Sequence, residues 1–352
     1  MSDSQLRADF HHLLLRADSR FPDDLVVAAR GWLAEGRVVD IAQALAFTAL
    51  TSQILFTPAD AELLADALRN AGADAGALGD LAISDVESMP ECGLAPVAPD
   101  VLAELSPYVP HTLDLTGEYA GAGGLDPVDL AAVAAAADLG GSHALWRSWR
   151  YPPPERQSSP SKRMYLLYAP EVRPDDLPAI AADMQTALLG TGEQDPLVQV
   201  FADEAALPAF QRAVLSFAAL LWTILPLHRI CIARFFDDPD QPGLDQTERA
   251  RVLQYLDGGD PLIVTAETAD DVFDPAGAGL VPLNVRTDGV WVWSDATAYY
   301  LEHHHIVPDP WLLRHLRQRG YERADVDVVG WHRALAALQA DATPAGLDLA
   351  VG

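Results

Sequence analysis

The sequence predicts a mixed α/β or α+β fold, with an N-terminal helical bundle followed by a mixed-sheet domain that carries a C-terminal β-hairpin and helices. Three observations predict it. Residues 1–72 place apolar side chains at helical spacing, residues beyond 160 alternate strand-like with helix-like segments, and Asp288-Gly289 stands between two alternating apolar runs.

The helical region begins with Leu6, Phe10, Leu13 and Leu14 on one face of a segment from Ser4 to Asp18. A second helix restarts after Phe21-Pro22 with Leu25, Ala29, Trp32 and Leu33, and a third covers Asp40 to Gln53. The fourth starts at Thr57-Pro58-Ala59-Asp60, which combines an N-cap hydroxyl, a first-turn proline and a carboxylate at the third position. Residues 73–160 read as an acidic, loop-rich connecting region, with a helix near 127–138 capped by Asp126 and a strand over His143 to Tyr151. The Pro- and Ser-rich stretch Pro152 to Ser161 has no apolar period, and it marks the expected boundary of a mixed α/β domain over 161–352.

In that domain Arg163 to Ala169, Leu197 to Ala202 and His228 to Phe236 read as strands. Asp175 to Leu189 and Leu207 to Leu225 read as the helices between them. The most apolar run, Ala213 to Leu227, reads as a buried helix; it is too short and too interrupted by Ser216, Thr223 and Pro226 to span a bilayer. A helix near Gln246 to Leu256, the Asp-Gly hairpin within Leu280 to Trp293, and three helices near Asp295 to His304, Asp309 to Arg319 and Val328 to Gln339 complete the chain.

Charge narrows the function. There are 23 basic and 51 acidic residues, with Lys162 the only lysine, and 9 basic and 23 acidic residues lie before position 160. The acidity therefore belongs to the whole body and not to a tail. Such a surface keeps a protein soluble and repels phosphates, so nucleic acid is not expected as a partner. Nor is a membrane, because the N-terminus lacks a secretory pattern and no lipidation motif is present; the expected location is cytoplasmic. Cys92 and Cys231 are too few for a disulfide scaffold or zinc site and read as reduced thiols.

Catalytic signatures fail on spacing. Gly121-Ala122-Gly123-Gly124 lacks the dinucleotide fingerprint, no Walker lysine exists, and Ala144 stands where a nucleophile elbow needs glycine. His303-His304-His305 are consecutive, so their imidazoles point about 100° apart along a helix and do not converge on a metal. No cofactor or metal is expected.

Two clusters remain as candidate interaction sites. Trp146, Arg147, Trp149 and Arg150, with Arg156, Lys162 and Arg163, form a basic, aromatic island suited to an acidic patch or phosphate, or equally a solvated loop that offsets the acidic segment. Arg286, Asp288, Trp291, Trp293, Tyr299 and Tyr300 gather at the hairpin and the next helix, either as a recognition surface or as the packing of helix on hairpin. Asp237, Asp238 and Asp240 offer an alternative acidic site after a strand, or an ordinary turn.

Pro196 to Leu207 resembles a strand-to-helix segment of SseB-like proteins. Arg286 to His303 is similar to segments of uncharacterised actinobacterial proteins from toxin and immunity loci. The resemblance implies a protein without a catalytic motif that binds a protein partner. The expected function is thus a non-enzymatic acidic binding module of the immunity, adaptor or assembly-component type, engaging a partner that the charge suggests is basic. Two alternatives stand beside it: an enzyme with Asp237, Asp238 and Arg286 at the strand ends and a tryptophan wall, and a self-associating structural subunit.

Overall fold

The structure, a computed structural model, describes residues 2–87, 89–105, 109–119, 121–153, 160–234, 242–274 and 278–342. The chain divides into two compact units, Met1–Leu225 and Pro226–Gly352. It is a mixed α/β protein, as the sequence predicts.

The first unit opens with α1 (Asp3–Ala17), α2 (Asp23–Ala34), α3 (Val38–Ser52) and α4 (Pro58–Asn70). Their apolar faces meet in one core of Phe10, Leu13, Leu14, Val26, Leu33, Ile41, Leu45 and Leu64. The Thr57 hydroxyl caps α4 by accepting from the backbone N–H of Asp60 at 3.2 Å. The Asp60 carboxylate accepts from the Arg16 guanidinium.

The chain continues through β1 (Gly93–Ala95), α5 (Pro99–Leu105), β2 (Leu113–Asp114), α6 (Pro127–Asp138), β3 (Ala144–Tyr151), β4 (Lys162–Tyr168), α7 (Leu177–Leu189), β5 (Leu197–Phe201), α8 (Ala209–Ser216) and β6 (Ala219–Thr223). Six strands form one sheet in the order β2-β6-β3-β4-β5, with β1 also pairing with β3. β4 and β5 run parallel through the α7 crossover, while β3 is antiparallel to β1, β4 and β6. One face of the sheet carries Leu145, Tyr165, Leu167, Val198 and Val200 against Ala132 and Ala136 of α6 and Ala181, Met184 and Leu188 of α7.

Two sequence expectations change here. Residues 73–160 do not merely connect: they supply β1, β2 and β3. β3 and β4 then pair from Ala144↔Tyr168 to Arg150↔Lys162, across the stretch that suggested a boundary. A run of Pro and Ser reports only the local lack of apolar period, which a loop between paired strands shares with a linker. The apolar run from Ala213 also splits, with α8 ending at Ser216 and β6 lying in the sheet interior. A strand covered on both faces is as continuously apolar as a buried helix, so periodicity alone does not separate them.

The second unit contains β7 (Cys231–Ile232), α9 (Gln246–Asp257), β8 (Asp260–Ile263), β9 (Thr268–Ala269), β10 (Val281–Pro282), β11 (Val285–Thr287), β12 (Trp291–Ser294), α10 (Asp295–His303), α11 (Pro310–Gln318) and α12 (Val328–Ala342). A four-stranded sheet runs β7-β12-β11-β8, with β7 parallel to β12 and the other pairs antiparallel. One face packs on Val252, Leu256, Leu312, Leu313 and Leu316, the other on Ala334 and Leu335. The predicted strand over His228 to Phe236 shrinks to two described residues. Among the described residues no helix is long and apolar enough to cross a membrane.

Candidate functional site

The described residues of the basic island do not form an exposed patch, and Arg156 lies outside the described residues. Trp146 and Arg147 are buried because β3 is an interior strand beneath α6. Arg147 pairs with the fully buried Asp129 of α6 and donates to the carbonyl oxygens of Pro96, Gly123 and Gly124. Asp129 also accepts from the Tyr165 hydroxyl at 2.7 Å and from Arg163 at 3.2 Å. Burial, then the Asp129 charge, pushes the Tyr165 hydroxyl well above its ordinary range. Arg163 lies over the Trp149 ring, 4.8 Å from its centre, and holds Asp126 at 2.6 Å. These cations are thus consumed in fastening the α6 N-terminus to the sheet.

Arg150 reaches an opening. It lines a cavity of about 820 Å³ together with Ser19, Asp23, Cys92 and Lys162. It is already bonded there, to the Ser19 hydroxyl at 2.9 Å and to both oxygens of Asp23. Burial pushes the Cys92 thiol up, away from the thiolate that a nucleophile needs.

The hairpin cluster in the second unit is mostly core. Trp291, Trp293 and Tyr300 are buried, and the Trp293 indole N–H donates to the carbonyl oxygen of Leu256. Asp288 fixes the turn: one carboxylate oxygen accepts from the N–H groups of Val290 and Trp291, the other from the Tyr255 hydroxyl at 2.6 Å and His315 Nε2 at 2.7 Å. Burial alone would raise its pKa, but these four donors hold it below the usual carboxylate range. Arg286 pairs with Asp295 at 2.6 Å. Tyr299 donates to Asp271 at 3.0 Å, and His304 donates to the same carboxylate at 2.6 Å. The expected Arg286–Trp–Tyr recognition surface is therefore largely internal scaffolding. Asp237, Asp238 and Asp240 lie outside the described residues.

The second unit instead opens a cleft of about 850 Å³, lined by Arg229, Ile230, Cys231, Ile232, Arg234, Trp291, Asp309, Trp311, Ala337, Ala340 and Asp341. Its floor is β7, an edge strand of the sheet. The inner edge of β7 is satisfied by Cys231 and Ala233, whose N–H groups donate to Val290 and Val292 at 2.9 and 2.8 Å. Alternation then turns the backbone of Ile230 and Ile232 outward, where no hydrogen bond holds it among the described residues. At the far end Asp309 accepts from the N–H groups of Arg234 and Trp311, which ties β7 to the start of α11.

Trp311 is 64% exposed, since Leu312, Leu313 and Leu316 already occupy the inward face of α11. Sequence reasoning missed this cleft because its walls come from segments far apart in the chain. Two local signals existed: Arg229 and Arg234 bracket an apolar run, and Trp311 falls off the apolar stripe of its helix. Compared with known proteins, the chain matches no family model, no curated protein and no solved structure.

Proposed function

We propose that this chain is a cytoplasmic, non-enzymatic binding module of the adaptor or immunity type, and that its protein partner seats in the cleft beside β7. The exposed Trp311 indole carries the reading. A rigid aromatic held at the mouth of a cleft loses little entropy on contact and gains its full apolar burial from a partner, which is why tryptophan dominates interface energetics. The outer edge of β7, unbonded at Ile230 and Ile232 among the described residues, supplies directional hydrogen bonds to the same visitor. Anionic surface over the rest of the body discourages nucleic acid and favours a discrete protein contact.

Affinity capture from cells of the native source, with the full chain as bait and native mass determination as readout, tests this. The unaltered chain is expected to retain one partner at fixed stoichiometry, and W311A to lose at least tenfold of it while keeping the same circular dichroism, because the indole contributes nothing to the core. Equal retention by W311A, or capture of no partner, would overturn the reading.

A further inference from the structure

Arg229 and Arg234 are exposed at the two ends of the cleft floor and pair with no carboxylate among the described residues. Several surface arginines of the first unit do find one close by: Arg37 bonds Glu35 and Asp40, Arg69 bonds Asp66, and Arg173 bonds Asp175. Arg251, Arg314 and Arg323 are likewise exposed and without an ion pair among the described residues, so what marks Arg229 and Arg234 is their place at the two ends of one cleft floor. The cleft's own Asp309 is buried and its oxygens are taken by backbone N–H groups, which leaves Asp341 as the one further carboxylate in its lining. The floor therefore combines a strand edge that is unpaired among the described residues with two cationic ends.

We infer that the occupant of the cleft is an extended, acidic peptide segment of the partner, added as a strand to the outer edge of β7 with carboxylates set against Arg229 and Arg234, a local preference opposite to the basic partner that the net charge suggests. This rests on the partner-binding reading above. The two arginines are five positions apart, which at about 3.3 Å per residue is roughly 16 Å of extended chain, so the matching carboxylates stand about five residues apart in the added strand. The outward N–H and C=O groups of Ile230 and Ile232 give the main-chain bonds, and the arginines set the charge preference.

The test uses fluorescent hexapeptides read by anisotropy with the full chain. The first has glutamate at both ends and alternating valine and threonine between; the second has lysine at both ends; the third keeps the glutamates but has proline at its second and fourth positions, which removes the donors a strand needs. Saturable binding of the first is expected, weakened about tenfold by R229E/R234E and by raised salt, with little binding of the other two. Equal binding of the lysine peptide would overturn the charge assignment, and equal binding of the proline peptide would overturn strand addition. If the glutamate peptide does not bind at millimolar concentration while W311A still abolishes partner capture, the inference about the occupant falls and the partner-binding reading stands.

Discussion

In the first unit His11 lies fully buried, with Nε2 donating to the carbonyl oxygen of Val200 at 2.8 Å. Burial holds its pKa down at about 4, against 6.5 for an exposed imidazole, and the nearby Arg30 guanidinium adds to the depression. Above pH 6.5 the ring is neutral whether the chain is folded or not, and its contribution to stability is intact. As pH falls from 6.5 toward 4 the unfolded chain takes up a proton that the folded chain refuses, so stability drops, by about 3 kcal/mol over that window, and levels off below it. Urea unfolding at a series of pH values is expected to show this loss, and H11Q, which keeps an N–H donor but does not titrate, is expected to flatten it. A pH slope unchanged in H11Q would contradict the assignment. Nothing in the sequence around His11 revealed the burial, because its acceptor stands on a strand 189 residues away.

Local signals were legible where local chemistry decides the structure. The caps at Thr57 and Asp126 form as their residue types dictate, and Asp126 completes a full capping box with Asp129. The Asp288-Gly289 hairpin forms too: Gly289 is left-handed, at φ 83°, while Asp288 works through its carboxylate. A methyl group added at Gly289 would meet Val326 at an ordinary 3.6 Å, so the cost of G289A is the backbone strain alone, about 1–2 kcal/mol. At Gly141, also left-handed, an added Cβ would meet Val172 at 2.8 Å, and G141A is expected to cost more than G289A in the same thermal unfolding experiment. A reversed order would show that the turn carries additional strain. Where tertiary contacts decide, local signals were silent. β6 sits between β2 and β3 in the sheet, and its neighbours alone distinguish that apolar run from a helix.

At the scale of the whole chain, acidity is spread through both units and is a property of the surface, while the few cations do specific work. In the first unit most of them are pinned in ion pairs, several of them buried. In the second unit fewer are paired, and Arg229 and Arg234, at the cleft, meet no carboxylate among the described residues. That contrast was invisible from composition, since a net charge counts arginines without saying which have found a carboxylate. The central claim is that a partner binds on the outer edge of β7, and hydrogen exchange reads that edge residue by residue. In the free protein the amides of Cys231 and Ala233 are expected to exchange slowly and that of Ile232 rapidly, because only the former two donate to β12. In the complex with the captured partner, the Ile232 amide and those around Trp311 are expected to slow at least tenfold. Protection confined to the first unit, with Ile232 still exchanging as in the free protein, would contradict the account.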